Sequence, residues 1–279
     1  MRTKDHLLCA LKKEIELQKN YLEKEKIHTI YFGGGTPSIL NKEELMLLLD
    51  TLYHNFTIAP DAEITIEANP DDLNAQKVKE LKHTVINRFS IGVQSFQNTD
   101  LKFMNRAHNG EDALESIKRL QDAGWENISL DLIYGTPTLS DSDWDNNIKT
   151  SIKLDVTHIS AYALTVEEKT PLHHFIEHKK CAPIEEEKSA RQFVHLMDVL
   201  PKSNFVQYEI SNFAKEGFYS KHNSNYWKGQ KYLGIGPSAH SFNGVVRQWN
   251  VANNMKYIQQ INKGIIPAET EQLTEKQSY

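Results

Sequence analysis

Apolar and polar positions along this chain follow two periods, and the two take turns. A helical period covers about Lys4 to Glu25, with Leu7, Leu8, Leu11, Ile15 and Leu22 on one face. Ile27, Ile30, Tyr31 and Phe32 then make an apolar run too short for a helix, which predicts a buried strand over Ile27–Phe32. Asn41, followed by Glu43 and Glu44, has the chemistry of a helix N-cap and an acidic first turn. Further strands are predicted at Glu63–Pro70, Arg88–Gln94, Asn127–Tyr134 and His158–Leu164. Helical patterns at about Asn74–Thr84, Asp112–Ala123 and Asp141–Leu154 separate them. Strands alternating with helices of this length imply right-handed βαβ units and a parallel sheet. At least five strands before residue 165 favour an open or closed barrel.

Beyond Thr165 the texture changes. Glu167–Glu187 is polar, holds His173, His174 and His178 with clustered lysines, and reads as an excursion over the barrel mouth. Glu185–Leu200 predicts a helix and Asn204–Ile210 a strand, and Gly217–Gly244 is rich in Gly, Asn and Tyr. Neither an internal repeat nor a low-complexity tract is evident.

The chain has 279 residues, enough for one large α/β domain or two small ones, and is 39% hydrophobic and 25% charged. A net charge of −5 with no basic cluster argues against nucleic-acid binding. No apolar run approaches the roughly 20 residues that cross a bilayer, and no signal-peptide core follows Met1, so a cytoplasmic protein is expected. Cys9 and Cys181 are the two cysteines. They offer neither a disulfide framework nor a thiolate metal site at standard spacing, and both read as plain residues.

In a parallel barrel the chemistry gathers at the C-terminal ends of the strands. Gly33, Gly34 and Gly35 follow the first strand and leave bare backbone N–H groups for a ligand; a tight strand-to-helix turn is the plainer explanation. The next strand ends carry Glu67 and Asn69, then Gln94, then Asp131 and Gly135, then Tyr162 and Ala163. Alternation turns Glu67 away from Ile64 and Ile66. Asp131 lies inside an otherwise apolar strand, where a carboxyl is costly without a partner or a polar ligand. Arg106, expected in the helix after the Gln94 strand, is a candidate partner for one of these acids or for a ligand carboxylate. Gln94 and Glu67 suit the hydroxyl and amino groups of a nucleoside. Gly33–Pro37 does not match the dinucleotide fingerprint. The alternative is a network of Glu67, Gln94, Arg106 and Asp131 that holds no ligand.

The segments YFGGGTPS, TIEANP, FSIGVQSF, MNRAH, DLIYGTP and ISAYAL follow one another in this order. Together they resemble the radical S-adenosylmethionine proteins of the oxygen-independent coproporphyrinogen III oxidase group, over nearly the whole chain. QYEISNFA (Gln207–Ala214), HNSNYW (His222–Trp227) and GIGPSAHSF (Gly234–Phe242) resemble more narrowly its HemW branch of haem chaperones. The resemblance implies an α/β fold. Residues 1–165 would form an incomplete parallel (β/α) TIM-like barrel of the radical SAM type, lacking its first strand and cluster loop. Residues 166–279 would hold the remaining barrel-side elements and the start of a C-terminal α/β region. The implied S-adenosylmethionine contacts are Gly34, Gly35 and Thr36 at the methionine end, Glu67, Gln94, Arg106 and Asp131 at the amino-acid and ribose parts, and Ala163 at the adenine.

The family binds a [4Fe–4S] cluster through C-x-x-x-C-x-x-C, which this chain does not contain. It stops at Leu273–Tyr279, where family members continue, and is expected to be an internal fragment or the product of a mis-assigned start and end. With no thiolate set it is expected to hold no cluster and to generate no 5′-deoxyadenosyl radical. The implied function is to bind haem and hand it to a recipient haemoprotein, with membrane contact only through a partner and the oligomeric state left open. Oxidative decarboxylation of coproporphyrinogen III is the alternative, and a fragment without function is a third. His222, and less strongly His240, are the candidate haem ligands, with Tyr226 and Trp227 flanking the porphyrin. Alternatively, His222 hydrogen-bonds a loop and the two aromatics are core.

Overall fold

The computed structural model describes residues 2–274. Helices and strands alternate: α1 (Arg2–Leu17), β1 (Ile27–Phe32), α2 (Lys42–Asn55), β2 (Ile58–Ala68), α3 (Ala75–Leu81), β3 (Arg88–Gln94), α4 (Asn98–Phe103), α5 (Gly110–Asp122), β4 (Ile128–Tyr134), α6 (Asp141–Lys153) and β5 (His158–Ala163). There follow α7 (Pro171–Glu177), α8 (Glu186–Val199), β6 (Val206–Gln207), β7 (Asn212–Ala214), α9 (Lys221–Trp227), β8 (His240–Phe242), β9 (Val246–Asn250), α10 (Asn254–Asn262) and β10 (Ala268–Gln272). Asn41 caps α2 through a full capping box, accepting from Glu44 N–H while the Glu44 carboxylate accepts from Asn41 N–H, each at 2.8 Å. The chain end at Leu273–Tyr279 runs past the described residues from Glu275 on.

Seven strands form one sheet in the order β1-β2-β3-β4-β5-β7-β6. Pairing is parallel from β2 to β5 and antiparallel from β5 through β7 to β6. This is the mostly parallel α/β architecture expected. The expected strand over Asn204–Ile210 is instead a short hairpin, because Glu209 and Ile210 bond their own neighbours: Ser211 N–H donates to the Glu209 carboxylate and Gln207 Nε2 to Ile210 C=O. The first helix ends at Leu17 rather than near Glu25, and Glu23 and Lys24 stand at φ 51° and 65°, where a right-handed helix cannot continue.

The chain divides into two compact units. The second, of residues 31–39 and 64–219, holds most of the large sheet, whose two faces differ in kind. Ile64, Ile66, Phe89, Ile91, Val93, Ile128, Leu130, Leu132, Ile159 and Ala161 share one face at period two and are buried. Aromatics close over this face: Trp125, in the loop after α5, stands edge-on to Phe89 at 4.9 Å, and Trp144 of α6 and Phe193 of α8 flank Tyr134 at 5.5 and 6.0 Å. The other face carries Thr65, Glu67, Arg88, Ser90, Ser129, Asp131, His158 and Ser160, a polar layer inside the fold.

The first unit gathers residues 1–30, 40–63 and 220–279. Ala10 of α1 packs with Tyr257, Ile258 and Ile261 of α10, and β8, β9 and β10 form an antiparallel sheet. Glu14 is fully buried. It accepts from Tyr257 OH (2.5 Å), Asn250 Nδ2 (2.6 Å) and Gly236 N–H (2.7 Å). Among the described residues no helix is long and apolar enough to cross a membrane.

Candidate functional site

The strand-end residues of the second unit meet around two glycines. A Cβ on Gly33 would stand 2.6 Å from Tyr31 Cε1 and 2.8 Å from Glu67 Oε1, so that position admits glycine alone without a shift of its neighbours. Gly34 stands at φ +79°, and a Cβ on Gly34 or Gly35 would meet nothing within 4 Å. The backbone there borders open space. Glu67 accepts from Tyr31 OH at 2.9 Å and from Gly34 N–H at 3.3 Å, which fixes its carboxylate against the glycine turn. Burial first, and then the Glu67 and Asp131 charges, push the Tyr31 hydroxyl far above its ordinary range, so it stays a donor. Thr36 is exposed and its C=O accepts from Ile39 N–H, closing the turn that follows.

Gly92 is the second meeting point. A Cβ there would lie 2.8 Å from Gln94 Nε2, 3.3 Å from Arg106 Nη2 and 3.7 Å from Asn69 Oδ1. Gln94 itself stands at φ 65°, where the β3–β4 register slips between Ile91 and Gln94. The slip re-aims its side chain at the end of the strand. Arg106 lies in the loop between α4 and α5, not in a helix: Asp100 C=O ends α4 on Met104 N–H, and Asn109 caps α5 only afterwards. Its guanidinium donates to Asn69 Oδ1 at 2.7 Å and to Gly92 C=O at 3.1 Å, and so pairs with neither Glu67 nor Asp131.

Asp131 sits deeper on the polar face. It keeps some exposed surface yet is packed round with protein atoms, and this burial pushes its carboxyl up to about 7; Ser90, donating at 3.2 and 3.3 Å, pulls the other way. Sheet register sets Glu67 beside Ser90, Ser90 beside Ser129, and Asp131 beside Ser160. Ala163 closes β5 at the same end of the sheet, half-buried.

The polar face holds further side chains that were not among the candidate site residues. His158 is buried, bonded to Ser129 Oγ and Tyr208 OH at 2.7 Å each, and held neutral by burial and by the Arg88 charge. Ser160 donates to Asn212 at 2.7 Å. Their signal was present as polar residues at period two, Arg88 with Ser90, Ser129 with Asp131 and His158 with Ser160, inside strands whose other positions are apolar.

In the first unit His222 opens α9, where its N–H and that of Lys221 donate to the Glu63 carboxylate. Its Nδ1 meets Thr29 Oγ1 and its Nε2 meets Tyr226 OH, each at 3.2 Å. Tyr226 and Trp227 are not core: they are 49% and 70% exposed. His240 stacks on Trp249 at 6.3 Å.

A two-faced, mostly parallel sheet with a glycine turn and polar strand ends defines a class, and a model of the radical SAM superfamily matches residues 11–150. The chain is 37% identical over 272 residues to the heme chaperone HemW of Bacillus subtilis (strain 168), covering 97% of this chain and 72% of that protein. It is 36% identical over 263 residues to heme chaperone HemW of Mycobacterium tuberculosis (strain ATCC 25618 / H37Rv), covering 94% and 67%. In fold it matches coproporphyrinogen III oxidase (HemN) from Escherichia coli with a TM-score of 0.82 and 24% identity, over 97% of this chain and 65% of that one. The chain therefore belongs to the HemW family of the radical SAM superfamily.

Proposed function

We propose that this chain binds haem and delivers it to a recipient haemoprotein, with S-adenosylmethionine as an accessory ligand at the strand ends. The observation that carries the haem proposal is α9: a half-buried imidazole beside a phenol and an indole that remain largely exposed. A flat porphyrin suits such an aromatic surface, and imidazole is a common ligand of haem iron. His222 Nε2 would exchange the Tyr226 hydroxyl for iron, while Thr29 on Nδ1 keeps the ring oriented. The relatives named as heme chaperones support the same function. Likeness to the oxidase is one of fold and lends no weight to decarboxylation.

The second unit offers what S-adenosylmethionine needs. Gly34, Gly35 and Thr36 present backbone to open space; Glu67 and Asp131 are acceptors for an ammonium or for ribose hydroxyls; Gln94 and Arg106 supply donors; Ala163 gives a small surface for a base. Bound there, S-adenosylmethionine would supply a sulfonium nucleoside. A [4Fe–4S] cluster does not fit the residues present. Cys9 lies exposed on α1 and Cys181 follows α7, and two cysteines fall short of the three thiolates such a cluster needs, so no step is routed through a cluster.

Haem titration followed at the Soret band tests the proposal. The parent binds haem and passes it to an apo-haemoprotein such as apomyoglobin; His222→Ala lowers affinity by about tenfold or more and shifts the band. A His222→Ala titration that overlays the parent removes the ligand assignment. A parent that binds no haem removes the function.

A further inference from the structure

Between β5 and α8 the chain forms α7, capped by Thr170, whose Oγ1 accepts from His173 N–H. Helical spacing sets His174 and His178 one turn apart with Glu177 beside them, and all three are exposed. One ligand atom from each lies within 4.8 Å of the other two. Two ligands held at about 2.1 Å from a single ion can stand no more than about 4.2 Å apart. Rotation of exposed side chains closes the remaining few tenths of an ångström at little cost.

We propose that His174, Glu177 and His178 form a site for a borderline divalent transition-metal ion, of the zinc or nickel kind. The site shares no residue with the strand ends or α9. A second feature of the geometry prepares it. His178 Nδ1 lies 2.9 Å from His174 C=O. A carbonyl only accepts, so Nδ1 carries the proton and the Nε2 lone pair is left to face an ion. Metal-bound histidines usually donate their second N–H in this way, which fixes both tautomer and ring orientation.

The two imidazole rings stand 3.9 Å apart, centroid to centroid. Two imidazolium ions at that separation repel, whereas two neutral rings can converge on one cation. Glu177 supplies the negative charge, and His173 Nδ1 stands 3.8 Å from its Oε2, where it can steady the carboxylate. Two imidazoles and one carboxylate favour zinc, nickel or copper over magnesium or calcium. Three ligands leave coordination positions for water, and the ion would clamp the last turn of α7. Among the described residues no other trio of His, Cys, Asp or Glu brings ligand atoms so close.

Calorimetric titration of the untagged chain with zinc chloride tests the site, because an affinity tag would add histidines of its own. The parent takes up one zinc ion per chain with a dissociation constant of about 100 µM or tighter. His174→Ala and His178→Ala each weaken binding by about tenfold or more, and Glu177→Gln weakens it too. All three positions are exposed, so the variants keep the parent's circular dichroism and thermal midpoint. Absence of saturable zinc binding by the parent overturns the proposal, as does an affinity unchanged in both histidine variants.

Discussion

Asp131 is ionised at a cost. Its carboxyl rises from an ordinary 3.8 to about 7, chiefly through burial, so the folded chain holds a proton that the unfolded chain has already released. Its contribution to stability is therefore greatest below pH 4 and is lost as the pH climbs through 7. At about 1.4 kcal/mol for each tenfold change in acidity, the loss amounts to at most about 4 kcal/mol. Asp131→Asn removes the titration but keeps an oxygen for Ser90. Urea unfolding of both proteins should show the variant gaining stability on the parent between pH 5 and pH 8. A difference that does not move with pH would mean that Asp131 is ionised in the fold. The glycines allow a contrast at the same scale. Gly33→Ala pushes a methyl into Tyr31 and Glu67 and should destabilise the fold by about 1–3 kcal/mol. Gly35→Ala meets no neighbour, so it should leave the melting temperature near the parent's while weakening S-adenosylmethionine in a binding titration.

Single elements show what the sequence made legible. The start of α2 could be read in Asn41, Glu43 and Glu44, because capping is local chemistry. β1 could be read because its apolar run meets three glycines, and β3 because Arg88–Gln94 is hydrophobic at period two. The register slip at Gln94 was not legible: no glycine marks the residue that takes a positive φ, and only pairing with β4 reveals the bulge. Arg106, expected in the helix after the Gln94 strand, falls between two helices, because the short α4 ends at Phe103 and α5 begins only at Gly110. The candidate site was legible as a set of strand ends, but its second layer, His158 with Tyr208 and Ser160 with Asn212, depends on β7 folding back beside β5. Packing on the apolar face gives a test at this scale. Trp144 of α6 is fully buried against Tyr134, and its Nε1–H donates to Gln192 C=O of α8 at 2.9 Å. Trp144→Ala should cost about 3–5 kcal/mol, and Trp144→Phe, which keeps part of the ring but loses the hydrogen bond to Gln192 C=O, about 1–3 kcal/mol in the same denaturation assay.

At the scale of the molecule, the unit that carries His222 is assembled from three separate stretches of chain, and α1 and α10 come from its two ends. Apolar contact between Ala10 and Tyr257, Ile258 and Ile261 brings the helices together but has no direction of its own. Direction comes from Glu14, whose two oxygens bind Tyr257, Asn250 and the Gly236 amide, while Asn250 also donates to Gly236 C=O. The carboxyl is raised by burial, and those three donors offset part of the cost. Glu14→Ala would strand Tyr257 OH and the Gly236 amide at about 1–3 kcal/mol each and leave Asn250 with Gly236 C=O alone, although the losses overlap because the groups share one partner. Glu14→Gln keeps one acceptor oxygen and should cost less. Hydrogen exchange is the discriminating measurement. In Glu14→Ala the amides of α10 and of β9 around Asn250 should lose protection together, since α1 no longer fixes them, and Glu14→Gln should fall between. Unchanged protection in α10 would mean that the apolar contact alone sets the helix pair, and the buried carboxylate would then be a cost of the fold with no compensating role in its assembly.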